Sequence, residues 1–158
     1  MSSYWLLLNK QGSFEADPLI SKRLNMKTAI LVKMAINKDL RTVSINTELV
    51  DISAKKEKQT ELEKIYELLD CRTIDIIGTD KVDIYIDDEG LLVENNPVLR
   101  FTLYDKEVTI GGDFLFSNGI DKEGDTLWFN KDRVQDQIRM NKIQSSIKRA
   151  KLLGFANV

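Results

Sequence analysis

The stretch DIYIDDEGLLVENNP, residues 83–97, brings Asp83, Asp87, Asp88 and Glu89 within seven residues of one another. Carboxylate oxygens at that density are the donor type that a hard divalent cation takes. A calcium loop, however, places acidic or amide oxygens at alternating positions around a glycine and closes on a distant glutamate. Here three acids are consecutive, so their side chains diverge along the end of a strand. Asp88-Glu89-Gly90 fits a hairpin tip better, supplying a turn residue, a solvated charge and a position that tolerates positive φ. Paired carboxylates for glycoside chemistry would have to face each other across a cleft, which spacing alone does not provide. No catalytic residue, metal ligand or cofactor is assigned on this basis.

A second group lies towards the C-terminus. Arg133, Arg139, Lys142, Lys148, Arg149 and Lys151 are six of the seven basic residues beyond position 130, and they follow Trp128-Phe129. An aromatic ring can stack on a nucleobase while a guanidinium grips phosphate with two parallel hydrogen bonds. The expected ligand-binding set is therefore Trp128, Phe129, Arg133, Arg139 and Lys142, for a small anionic nucleotide. The competing reading divides the two aromatics between core and surface and leaves the basic residues solvating a helix. Gly111-Gly112 precedes a strand rather than a helix, so it lacks the setting of a phosphate-cradling loop and reads as a bulge or tight turn.

The chain has no histidine and one cysteine, Cys71. Ser-His-Asp, Cys-His and His-metal arrangements are therefore absent, as is the usual near-neutral general base. Cys71 reads as a small filler, and a lone cysteine forms no intrachain disulfide, which suits a reducing compartment. The apolar run Tyr4–Leu8 is too short to span a bilayer and lacks the features of a signal peptide. A non-enzymatic, cytoplasmic protein with no membrane partner is expected; a carboxylate-based metal nuclease is the enzymatic alternative.

With 158 residues, 42% hydrophobic and 30% charged, the chain suits a single globular domain. Net charge is −2, but residues 1–79 carry about +1, 80–130 carry −8 and 131–158 carry +5. Such a dipole suits self-association into a homo-oligomer or an anionic ligand. It disfavours long nucleic acid, which would meet repulsion along 80–130.

The elements that must position these residues follow from periodicity. Residues 1–25 form a possible N-terminal extension, with a strand at 4–8 and a short helix starting at Asp17-Pro18. Residues 26–130 form an α+β core. TAILVKMAI (28–36), the turn NKDLR and TVSI predict a hairpin. In KQTELEKIYELLD, Leu62, Ile65, Tyr66 and Leu69 form one apolar stripe, and Thr60 and Glu63 stand at capping-box spacing. RTIDIIG, KVDIYID, LLVE, RFTLY, DFLFS and TLWF then read as strands of an antiparallel meander, punctuated by glycines. Residues 131–154 form a C-terminal helical segment with Asn130 as N-cap. Its apolar residues do not share a face: Val134 and Ile138 oppose Met140, Ile143, Ile147 and Ala150. The helix must either break near Asn141 or be gripped on both faces, for instance by a second subunit. The fold class is α+β: an antiparallel β-sheet with one packed amphipathic helix and a C-terminal helical segment.

The order LEKIYELLDC, TIDII, VDIYIDDEGLLVENNP, GGDFLF, EGDTLWFNKDRV resembles a family of small uncharacterised bacteriophage and mobile-element proteins. Asp88-Glu89-Gly90-Leu91 and Asn96-Pro97 carry the resemblance, with Gly111-Gly112 and Gly124-Asp125 matching its later glycines. It covers about residues 60–133, and Asp70-Cys71 stands where the family has a glycine pair. The resemblance implies a small α+β domain in a phage or plasmid setting, working in the host cytoplasm, and supplies no catalytic residues. Phage proteins of similar architecture include anti-defence sponges that sequester cyclic-nucleotide signals within oligomers. A sequestering protein of that type is the expected function. The alternative is an inhibitor that binds a host defence protein through a surface patch, with the acidic hairpin region as the candidate.

Overall fold

The computed structural model describes residues 27–53 and 56–156. The expectations for residues 1–25 lie outside them. Among the described residues the elements run β1 (Thr28–Asn37), β2 (Thr42–Asp51), α1 (Glu61–Leu69), β3 (Ile74–Gly78), β4 (Asp83–Asp87), β5 (Pro97–Leu103), β6 (Lys106–Gly111), β7 (Phe114–Ser117), α2 (Val134–Lys148) and β8 (Lys151–Phe155). The α+β class with antiparallel strands and two helices is as the sequence predicts.

The strands divide into two antiparallel sheets, ordered β2-β1-β7-β4-β3 and β6-β5-β8. The β1–β2 hairpin pairs ten residues, from Thr28 opposite Asp51 to Asn37 opposite Thr42. Its turn closes where Leu40 N donates to Asn37 Oδ1 at 3.1 Å and Arg41 takes a φ of 53°. The chain does not continue as a simple meander, because β7 inserts between β1 and β4, pairing Phe116 with both Ile30 and Ile84. All four residues of β7 are buried, which is why this short apolar run can occupy the centre of the sheet.

Alternation along the strands sends side chains to two cores. Ile30, Val32, Ile84, Phe114 and Phe116 pack with Leu99, Phe101, Leu103, Val108 and Ile110 of the small sheet and with Met140, Ile143 and Ile147 of α2. Phe101 stacks on Phe114 at 5.5 Å, and Phe114 meets Phe116 edge-on at 5.6 Å. On the opposite face Ala29, Leu31, Tyr85 and Leu115 pack with Ile52 and with Ile65 and Leu69 of α1. The five-stranded sheet is thus the middle layer.

The capping box of α1 forms as its spacing predicts: Glu63 N donates to Thr60 Oγ1 at 3.0 Å and Thr60 N to Glu63 Oε1 at 3.2 Å. Asp70 ends the helix in the left-handed region at φ 49°.

α2 is one unbroken helix, so of the two sequence alternatives the break near Asn141 is excluded. Met140, Ile143 and Ile147 are buried while Val134 and Ile138 stay 69% and 62% exposed. Asn130 is not the cap. Arg133 occupies that position without a side-chain bond, and Asn130 Oδ1 accepts instead from Asp132 N at 3.0 Å. The buried Asp136 carboxylate anchors the first turn, accepting Asn130 N at 2.8 Å and Asn118 Nδ2 at 3.2 Å. A buried bond from Thr47 Oγ1 to Gln144 Oε1, 2.8 Å, ties the helix to β2.

Three assignments are corrected. The helical segment ends at Lys148 rather than 154, because Lys151–Phe155 pairs with β5 and tertiary pairing outweighs local preference. LLVE is not a strand: Leu92 N and Val93 N both donate to Glu89 O, at 2.8 and 3.1 Å, winding the chain into turns. TLWF forms only isolated bridges, Ile120 with Thr126 and Thr28 with Phe129.

Candidate functional site

The five residues expected to bind a ligand are not brought together. Trp128 and Phe129 are consecutive on extended backbone, so they leave it on opposite sides. Phe129 is 0% exposed within the core that joins the two sheets and α2, and cannot stack on any ligand. Trp128 faces the α1 side, 6.2 Å from Tyr85, and its Nε1 donates to Glu61 Oε1 at 3.3 Å. Arg133 is exposed at the start of α2. Arg139 is half-buried and donates to Asn118 Oδ1 at 2.8 Å, so it braces the loop after β7. Trp128 lines a cavity of about 510 Å³ with Glu61, Tyr85 and Thr126, and Lys142 is the one of the five that lies on a second concave surface.

That surface is a groove of about 810 Å³ between α2 and the β5–β6 hairpin. Lys142 and Arg149 reach it from the helix side, Arg100 from β5 and Lys151 from β8. Arg100 and Lys151 are direct cross-strand partners in the β5–β8 pairing. Like charges in that position repel, an arrangement that an anion between them would relieve. Glu107 offsets part of this through a 3.2 Å bond to Arg100 Nε, and Asp105 is the other carboxylate lining the groove. Tyr104 adds an aromatic wall; burial pushes its hydroxyl above the usual range, partly opposed by the positive charge of Arg139. Four cations against two carboxylates, with the Tyr104 ring beside them, can hold a compact anion by charge-assisted hydrogen bonds.

Among the described residues no group of three His, Cys, Asp or Glu side chains is placed to hold a metal ion. Cys71 is half-buried, and burial, with Asp87 and Asp70 nearby, pushes its thiol up to about 11. At neutral pH it is a protonated thiol rather than a nucleophile. No helix among the described residues is long and apolar enough to cross a membrane.

A family profile described as a domain of unknown function, DUF3846, matches residues 26–142. The chain belongs to that family. No curated protein and no solved structure matches it. The DUF3846 match takes in Arg100, Tyr104 and Lys142 and stops before Arg149 and Lys151, so the groove combines the family domain with the segment that follows it.

Sequence reasoning passed over Arg100 and Tyr104 and did not single out Arg149 and Lys151 within the basic tail. A signal for Arg100 was present: it alternates with Leu99 and Phe101, so it had to face away from the core. Nothing local announced that β8 would bring Lys151 opposite it.

Proposed function

We propose that this protein is a non-enzymatic, phage-type accessory protein that binds and sequesters a small anionic nucleotide in the groove between α2 and the β5–β6 hairpin. The observation that carries the reading is the cationic convergence of Arg100, Lys142, Arg149 and Lys151, with the first and last set directly opposite each other across a strand pair. A volume of about 810 Å³ is within the range for a nucleotide-sized ligand. Tyr104 takes the stacking role first given to Trp128 and Phe129. The phage and anti-defence setting rests on the resemblance carried by residues 83–97.

Calorimetry of the full chain against cyclic di- and trinucleotides and ADP-ribose derivatives tests this. Binding by one class is expected, with Lys142→Ala and Arg149→Ala each weakening it by about tenfold, the scale of one lost charge-assisted hydrogen bond. No heat with any of these compounds, or binding untouched by both substitutions, overturns it.

A further inference from the structure

Two exposed apolar patches of this chain carry opposite charge. The first is the 88–94 loop. Leu92 is 72% exposed, Leu91 50% and Val93 42%. Between Lys81 and Arg100 the sequence holds five acids and no basic residue. A cavity of about 430 Å³ adjoins the loop, lined in part by Ile36, Val93 and Pro97, with Asp70, Asp87 and Asp113 on its walls. The loop is held in place: Asn96 Nδ2 donates to Gly90 O at 2.9 Å, and Asn95 and Asn96 exchange backbone bonds with Ala156 at 3.1 and 2.8 Å.

The second patch is the outer face of α2. Val134 and Ile138 stand one turn apart and are the large apolar residues of the helix that the core does not cover. Arg133 precedes them, Lys142 continues the stripe, and Asp132, ahead of the helix, is the exposed acid beside them.

We infer that the basic, apolar face of α2 docks onto the acidic, apolar loop and adjoining cavity of a second copy of this chain. A short amphipathic helix reading a groove through residues at i and i+4 is an established mode of recognition. Opposite potentials on the two surfaces steer the encounter and set its orientation. Because the loop is already fixed, little ordering opposes the contact. The two surfaces belong to different elements, so each copy offers both halves and copies join head to tail. The anion groove opens beside the same helix through Ile138 and Lys142, yet this contact needs no ligand.

Sedimentation velocity on the full chain, from micromolar to millimolar and at about 0.05 and about 0.5 M salt, tests the contact. The unaltered protein is expected to self-associate, with the association weakened tenfold or more at the higher salt. Leu92→Lys and Ile138→Glu should each leave a monomer with an unchanged circular dichroism spectrum. Mixing the two variants should restore a one-to-one pair, since one retains the helix and the other the loop. The salt dependence is read on the unaltered chain, so it stands even if a variant folds poorly. A protein monomeric throughout, association indifferent to salt and to both substitutions, or variants that stay monomeric when mixed would each overturn the inference.

Discussion

Asp113 shows how a single position couples burial to pH. Its carboxyl is raised above the ordinary range by burial, against the opposing effect of Met34 N–H, which it accepts at 2.9 Å, and of the Lys33 charge. A carboxyl raised on folding binds its proton more tightly in the native chain than in the unfolded one. Stability is then greatest below the unfolded carboxylate range and declines as pH rises through the folded value. Asp113→Asn keeps the oxygen that Met34 needs and removes the charge. It is expected to raise the melting temperature at about pH 7 and to lose that advantage by about pH 3, as thermal scans across the range would show. A gain confined to acid pH would contradict the assignment. Without histidine, the residue types offer Cys71 no activating partner, and burial with Asp87 and Asp70 nearby raises its thiol. The pairing of Trp128 with Phe129 failed for a reason also written in the chain, since neighbours on extended backbone cannot share a face.

Among the elements, those built from local rules were legible. The Thr60–Glu63 box and the hairpin of 28–36 with 42–45 depend on residues close in sequence, and both form as spacing predicts, β2 running on to Asp51. The loop after β4 was not legible, because its shape depends on the contact of Gly90 with Gly111, far along the chain. Gly90 is buried face to face with Gly111; a Cβ on Gly90 would run into Gly111 O, and one on Gly111 would lie 2.5 Å from Gly90 O. That approach draws Leu91, Leu92 and Val93 out of any strand and leaves them on the surface. Neither backbone can retreat easily, so Gly90→Ala should cost about 3 kcal/mol in chemical denaturation. Gly124→Ala is a useful contrast. Nothing lies within 4 Å of a Cβ there, so only its φ of 87° opposes the change and the loss should be smaller.

At the level of the whole molecule, the segment after Lys148 does several things at once. It adds the third strand of the small sheet, brings Arg149 and Lys151 to the groove, and holds Asn95 and Asn96 through Ala156. Ending the chain at Lys148 should therefore lower the melting temperature, abolish the anion binding proposed for the groove and expose Glu94 to cleavage by a glutamate-specific protease. Cleavage at Glu94 no faster than in the full chain would argue against the tail as a clasp. The overall charge dipole was visible in the sequence, but the layers that place it were not, because they depend on partners far apart along the chain. β1 and β7 are such partners. Among the described residues the inner edge of β1 is closed by Phe114–Phe116 and, at Thr28, by Phe129, all more than eighty residues downstream. During synthesis at about 5–20 residues per second, the β1–β2 hairpin would wait roughly 3–13 s with a row of apolar residues and unpaired backbone on display. For those seconds the open edge of the newborn chain is a template on which another strand can pair.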